Sequence, residues 1–436
     1  MQTKKPVAVQ PGDRIRVTKE GEVYEGLLMP RVGDGNFTTL KLASGYNIGI
    51  DPKGAKVEKL GHGNNLLGGT KESALKIEFD ENKPPISLIS TGGTIACRVD
   101  YRTGGVYAVE DPRELLHTIP ELKDIAQIRI NSPFRKMSEN MESSDWIEIA
   151  RQVAKELNSG SLGVIVTHGT DTLHYTSAAL SFFLKNLTKP VVLVGSQKSI
   201  DRGSSDAWMN MICASHLALS DIAEVGICMH GSISDDYCLF NRGTKVRKMD
   251  TIRRDAFRPI NDLPLAKIWP NGKIEKISKN YKIRSDAKVE LDAKFEEKVA
   301  LIKFFPGADP SIIEYYLSKR YRGFVIEGTA LGNVSFETNK NPWAPVIKKY
   351  SKDGIPFVIT SQSIYGRINT EAYSSLRIIF HDSGAISGQD MTSETAFIKL
   401  GYLLAKTKDY EELKALIGTN IAGEITERTL PETFLY

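Results

Sequence analysis

Three loops carry the residues of this chain that could make and break a covalent bond. The first is Ser90-Thr91-Gly92-Gly93-Thr94, which interrupts the apolar run beginning at Ile86, Leu88 and Ile89. The second, Gly169-Thr170-Asp171-Thr172, follows the apolar run Leu162–His168 and repeats the same layout with an acid beside the threonine. The third, Phe240-Asn241-Arg242-Gly243-Thr244-Lys245-Val246, adds a lysine, Lys245, with Lys248 as its competitor three positions on. A threonine hydroxyl attacks a carbonyl only if a base removes its proton, and lysine can be that base once burial and neighbours favour the neutral amine. Paired glycines let backbone N–H groups approach closely enough to hold a developing oxyanion. Taken singly, a strand running into TGGT is a common tight turn and RGTKVRK a solvated basic loop; the repeated layout sets them apart.

For these loops to act together, they must meet at one edge of one sheet. From Ile86 to about Asp262 the chain alternates strand and helix, with further strands expected at Pro190–Gly195 and Glu224–Met229, a helix from Leu173 to Lys185 and another over Asp206–Leu219. That alternation implies a mostly parallel sheet covered on both faces, and ligands of open α/β sheets sit at the carboxyl ends of the strands. Residues before it are organised differently. Short alternating runs between Asp13 and Val57, separated by turns such as Val32-Gly33-Asp34-Gly35-Asn36, predict a small β-barrel with no helix. The domain division read from these patterns is 1–80 for the barrel, 81–270 for the α/β unit with the loops, and 271–436 for a linker and a smaller α/β unit. Lys267–Glu297, rich in lysine and poor in long apolar runs, reads as the connection between the last two, crossing the surface with a hairpin at Pro270-Asn271-Gly272.

Bulk composition narrows the function. The 436 residues carry 57 basic and 53 acidic side chains, a net charge of +4, so no global basic field calls for nucleic acid. Four cysteines, Cys97, Cys213, Cys228 and Cys238, lack metal-type spacing and read as reduced thiols of a cytosolic protein. The histidines form no HxxxH pair, and no metal is expected. No apolar run approaches the roughly 20 residues of a membrane helix, and MQTKKPVAVQPGD has no apolar core after its charges, unlike a signal peptide.

TGGTIA and THGTDT, 76 residues apart from Thr94 to Thr170, closely resemble the two signature segments of the asparaginase/glutaminase family. The resemblance runs from about Ile86 almost to the carboxyl terminus and implies a two-domain α/β core that hydrolyses a carboxamide. Carried over by position, it makes Thr94 and Thr170 the nucleophile candidates, with Thr94 favoured, and groups Asp171 and Lys245 around Thr170 as a proton relay. Asp171, expected as a buried carboxylate, would also bind the substrate's α-ammonium. Tyr107 matches the family's lid tyrosine, and Ser138-Glu139 stands where the family has Ser-Gln, so Ser138 and Glu139 are the expected substrate contacts. Glutamate there is a departure that puts negative charge near the α-ammonium. Family resemblance also suggests a homodimer whose sites are completed by residues after about Val299 of the neighbouring subunit.

The extra amino-terminal barrel is unlike a free asparaginase and is similar to the asparaginase-like subunits of archaeal glutamyl-tRNA(Gln) amidotransferases. That resemblance implies L-glutamine as substrate and a kinase-like partner, the amidotransferase E-subunit, which would bind ATP and Mg²⁺ and most of the Glu-tRNA(Gln), in a cytoplasmic heterotetramer. This chain itself would need no cofactor. Two alternatives remain: a stand-alone L-asparaginase or glutaminase with an accessory barrel, and a non-catalytic RNA- or protein-binding scaffold.

Overall fold

The structure, a computed structural model, describes residues 9–29, 37–42, 47–62, 80–99, 106–108, 114–200, 202, 204–337 and 340–436. The amino-terminal unit is a five-stranded antiparallel sheet in the spatial order Asn47–Ile50, Thr38–Lys41, Glu22–Leu28, Asp13–Lys19, Lys56–His62. Alternation along Asp13–Lys19 turns Ile15 and Val17 inward, where they meet Leu40 and Ile50 in a small core of their own. Glu20 and Gly21, both at positive φ, make the two-residue turn whose twist suits a hairpin.

The central unit is an eight-stranded sheet. Gln127–Asn131, Pro85–Ser90, Val164–Thr167, Val191–Val194 and Val225–His230 run parallel in that order, followed by the antiparallel Cys238–Arg242, Ala266–Ile268 and Ile274–Lys276. Its central strands are apolar without a break because each face has its own cover. Val164, Val166, Val191 and Leu193 pack with the helices Ser143–Asn158 and Leu173–Phe183. Ile165, Val192 and Val194 point the other way, toward Ala207–Ala218.

The lysine-rich stretch after 266 has its hairpin at Pro270-Asn271-Gly272 as the sequence suggests, but that hairpin, Ala266–Ile268 with Ile274–Lys276, closes the end of this sheet, so the sheet runs past residue 270. Its lysines made it read as a surface connection. Two of them lie over aromatic rings: Lys267, on the strand next to the edge, has its Nζ 3.6 Å from the Tyr237 ring centre, and Lys273, in the turn before the edge strand, has its Nζ 4.7 Å from that of Trp269.

The carboxyl-terminal unit has four parallel strands, Val299–Lys303, Gly323–Gly328, Phe357–Ser361 and Ile386–Ser387. One face packs on Ser311–Ser318 and Trp343–Lys352, and the other on Ser393–Leu404. This last helix shares one core with Leu173–Phe183 of the central unit, where Tyr402 meets the rings of Phe182 and Phe183 at 5.8 and 6.0 Å. Two ion pairs of zero side-chain exposure lie in or beside the same region: Lys245 with Asp390 at 2.7 Å and Lys399 with Glu424 at 2.6 Å.

Both loops that follow the Pro85–Ser90 and Val164–Thr167 strands leave from adjacent positions, since Ser90 lies opposite Thr167. Thr91 donates to the Thr167 carbonyl from both its N–H, at 3.1 Å, and its hydroxyl, at 2.8 Å. Just beyond, a Cβ on Gly93 would stand 2.2 Å from the Gly169 nitrogen, and Gly93 has φ of 78°. Only glycine permits that approach. Gly93→Ala is therefore expected to destabilise the chain by about 2 kcal/mol or more, read as a lowered urea midpoint; an unchanged midpoint would show that the loops can part freely.

Candidate active site

The contact between Gly93 and Gly169 sets Thr94 and Thr170 at one rim of the central sheet. Thr94 opens the single 3₁₀ turn Thr94–Ala96 and is half-buried. Thr170 is 6% exposed. Gly92 faces a third backbone segment, where an added Cβ would lie 2.6 Å from the Lys136 carbonyl oxygen and the Lys136 N–H donates to Thr91 at 2.9 Å. That segment leads into Ser138, buried against Gly169, whose carbonyl accepts from the Thr172 hydroxyl at 2.7 Å. Glu139 follows it and is exposed. The next helix, Ser143–Asn158, is capped by Glu142 with Asp145. Tyr107 is described only in its backbone, in a short strand opposite Arg98; its side chain and residues 100–105 of the lid lie outside the described residues.

The lysine at Thr170 is Lys248 and not Lys245. Lys248 Nζ donates to Thr170 Oγ1 at 2.9 Å and to Asp171 Oδ1 at 2.7 Å, while Lys245 Nζ donates to the Asp390 carboxylate and carbonyl at 2.7 and 3.0 Å. The reason is strand alternation. Val246–Lys248 pairs with Phe257–Pro259, and side chains an odd number of residues apart leave opposite faces of extended backbone. Lys245 and Arg247 both turn to the carboxyl-terminal unit, Arg247 meeting Glu394 at 3.1 Å; Lys248 turns back to the loop of Thr170. Burial pushes the Lys245 ammonium below its ordinary pKa, and Asp390 opposes that. Asp171 also departs from expectation: its side chain is 66% exposed, because it stands at the outer lip of the loop with one oxygen held by Lys248.

Sequence reasoning passed over several groups here. Asp171, Lys248, His174, Arg247, Asp250 and Glu394 line a cleft of about 510 Å³, so the carboxyl-terminal unit of the same chain contributes Glu394. Gln197 accepts from Thr170 Oγ1 at 3.4 Å. His168 is enclosed: its Nδ1 donates to the Gly169 carbonyl at 2.7 Å, which leaves Nε2 to accept from Thr176 at 2.9 Å. Burial lowers its pKa from 6.5 to about 4, and that of His174 to about 3, where Arg247 and Lys248 add repulsion. No sequence spacing marks these positions, since they come from two strand ends, a hairpin and two helices far apart in the chain. Among the described residues, no group of three or more His, Cys, Asp or Glu side chains could hold a metal ion.

Two outcomes follow from these assignments. Lys245→Met takes the ammonium from the buried Asp390 carboxylate, which keeps the Thr426 N–H at 3.1 Å and Arg367 at 3.7 Å, and should cost about 3 kcal/mol, whereas Lys248→Met, at a cleft open to water, should stay within about 1 kcal/mol; denaturant titration distinguishes them. Stability should also fall as pH drops below 6.5. There the unfolded chain begins to bind protons that the buried His168 and His174 refuse, until the native rings protonate near pH 4 and 3. The slope is up to about 1.4 kcal/mol per pH unit for each histidine, and the thermal midpoint of His168→Gln should be less acid-sensitive than that of the parent.

Comparison with known proteins agrees with this geometry along the chain. Residues 85–282 match the family model described as "Asparaginase, N-terminal", residues 298–417 the "Glutaminase/Asparaginase C-terminal domain", and residues 9–60 the "GatD N-terminal domain". The glutamyl-tRNA(Gln) amidotransferase D-subunit of Pyrococcus furiosus is 47% identical, covering 99% of this chain and 98% of that one. Its counterpart in Methanosarcina acetivorans is 41% identical over 96% and 98%. Among solved structures, the thermostable L-asparaginase from Thermococcus kodakarensis superposes with a TM-score of 0.70 at 28% identity, covering 78% of this chain and 99% of that one. For the probable cytoplasmic L-asparaginase of Campylobacter jejuni the values are 0.64, 25%, 78% and 100%. The asparaginase core is thus matched end to end, and the amino-terminal unit has its own counterpart in the amidotransferase relatives. The chain belongs to the asparaginase family and, within it, to the D-subunit group of glutamyl-tRNA(Gln) amidotransferases.

Proposed function

We propose that this chain hydrolyses L-glutamine and supplies the ammonia to a partner protein that converts Glu-tRNA(Gln) to Gln-tRNA(Gln). The observation that carries the chemistry is Lys248, within hydrogen-bond reach of both Thr170 and Asp171 beside the turn of Thr94. The role in amidation rests on the nearly full-length likeness to the amidotransferase D-subunits, which includes the amino-terminal unit absent from free asparaginases.

In this reading the Thr94 hydroxyl attacks the side-chain carboxamide carbon. Its proton passes to the Thr170–Lys248 pair while backbone N–H groups of the two glycine turns face the oxyanion. Collapse of the tetrahedral species expels ammonia, which carries away a proton from the relay. Water then attacks the ester on Thr94 and releases glutamate. Lys248 donates as an ammonium and accepts from Thr170 only after losing a proton, so turnover needs a fraction of neutral amine. Asp171, open to the cleft, meets the α-ammonium of glutamine, and the buried Ser138 lies where the substrate's α-carboxylate end would come to rest. Glu139 at the lip adds negative charge that favours the same ammonium. Tyr107 takes the part of the lid tyrosine that its match to the family implies.

The partner is the kinase-like amidotransferase E-subunit, which binds ATP and Mg²⁺ and most of the tRNA. Two copies of this chain join two of that partner in a cytoplasmic heterotetramer, with each glutaminase site completed by the neighbouring copy.

A second reading, a stand-alone amidohydrolase, draws support from the likeness to free L-asparaginases over the whole of their length. Ammonia release with and without the partner separates the two, because a self-sufficient hydrolase gains nothing from a partner and glutamyl-tRNA. Thr94→Ala should abolish ammonia release from glutamine at unchanged thermal midpoint, and Lys248→Met should lower it by about 10²–10⁴-fold. Undiminished turnover in Thr94→Ala would remove that residue from the chemistry, and loss in Lys245→Met without loss of stability would reverse the assignment of the lysines.

A further inference from the structure

Gln197 stands three residues past the end of the Val191–Val194 strand, on the rim that carries Thr170. Gly195 brings the two together: a Cβ there would lie 2.9 Å from Thr170 Cγ2. The Gln197 side chain is 7% exposed, and its Oε1 accepts the Thr170 hydroxyl proton at 3.4 Å. Its Nε2 is buried and has no protein partner among the described residues. The backbone is held from beneath, with the Gln197 N–H donating to both oxygens of Asp206 at 3.0 Å. Asp206, fully buried, also accepts from Lys198 N–H at 3.2 Å and from Asn210 Nδ2 at 3.1 Å, and that same Nδ2 reaches the Gly195 carbonyl at 3.0 Å. A buried amide nitrogen without a partner lowers stability, so an apolar side chain of similar length would suit the fold better. Stability does not account for a glutamine here.

Proton traffic at Thr170 does. Its hydroxyl has one proton to give, and an ammonium has no lone pair to receive it. While Lys248 is charged it donates to Thr170 Oγ1, and the threonine proton must go elsewhere; Gln197 Oε1 is where it goes. Once Lys248 is neutral, its lone pair is the better acceptor and Thr170 turns toward it. We propose that Gln197 is a positioning residue which, by taking the Thr170 proton whenever Lys248 is charged, sets the pH at which the Thr170–Lys248 pair becomes competent. This rests on the reading of that pair as the proton relay, and it adds a member to the relay from a third strand end.

The test uses the full-length chain with Gln197→Met and Gln197→Glu. Trace acetylation by acetic anhydride across pH, with the Lys248 peptide quantified by mass spectrometry, reports the neutral fraction of Lys248 without turnover. Removing the acceptor should lower the Lys248 midpoint by about half a pH unit in Gln197→Met. A carboxylate in its place favours the ammonium and should raise it by about one unit or more in Gln197→Glu. The acid limb of kcat for glutamine hydrolysis should move with each midpoint, KM staying within about twofold, and Gln197→Met should unfold at the parent's temperature or above. Midpoints that stay put, or move in the same direction in both variants, overturn the proposal. If Gln197→Met does not fold, Gln197→Glu, of equal length, decides alone by the presence or absence of the upward shift. Opposite shifts in a chain that releases no ammonia from glutamine would support the coupling and overturn the glutaminase reading; fixed midpoints in an active, Lys248-dependent enzyme would do the reverse.

Discussion

The site depends on a backbone-to-backbone contact between Gly93 and Gly169. Two parallel neighbouring strands end level with one another, Ser90 opposite Thr167, and the loops that leave them would diverge around any side chain placed between them. Having no side chain at Gly93 lets the loops touch, and the touching puts two hydroxyls from distant parts of the sequence at one rim. The contact has a second consequence. In the proposed reaction the same turns would offer backbone N–H groups to the carbonyl oxygen as it gains charge, so that the feature permitting proximity would also supply electrostatic complementarity.

Charge is distributed around this contact by strand geometry. Within the hairpin of Val246–Lys248, alternate residues serve different masters: Lys245 and Arg247 fasten to Asp390 and Glu394 of the carboxyl-terminal unit, and Lys248 reaches Thr170. An ammonium on a flexible four-carbon stem has many conformations to lose. Clamping the backbone on one side of the strand reduces that freedom on the other. The buried Lys245–Asp390 pair is therefore poor evidence for net stability and good evidence for a fixed register between two units.

Much of this was legible in the amino-acid order and some was not, for identifiable reasons. The parallel core announces itself because Val164–Thr167 and Val191–Val194 are apolar on both faces, and the Gly/Thr breaks after such runs mark strand ends where ligands bind. Lys245 and Lys248 could not be told apart, because the choice depends on which face of a strand carries an acid, and that acid, Asp390, is 145 residues away. Lys267 and its neighbours misled in the opposite direction: lysine signals solvent, yet Lys267 is paired between Cys238–Arg242 and Ile274–Lys276 and lies over the rings of Tyr237 and Trp269, which a sheet's last hairpin permits. The exposure of Asp171 and the approach of Gln197 were likewise invisible, each being set by where a loop stands in relation to a strand it does not follow.

The helix Ser393–Leu404, sunk between the two α/β units and sharing one core with Leu173–Phe183, constrains motion. Units joined by a polar seam swing apart on a hinge at small cost, whereas separating these would wet a large apolar surface along the whole helix. The floor of the cleft is therefore rigid, and the two units should melt as one cooperative body.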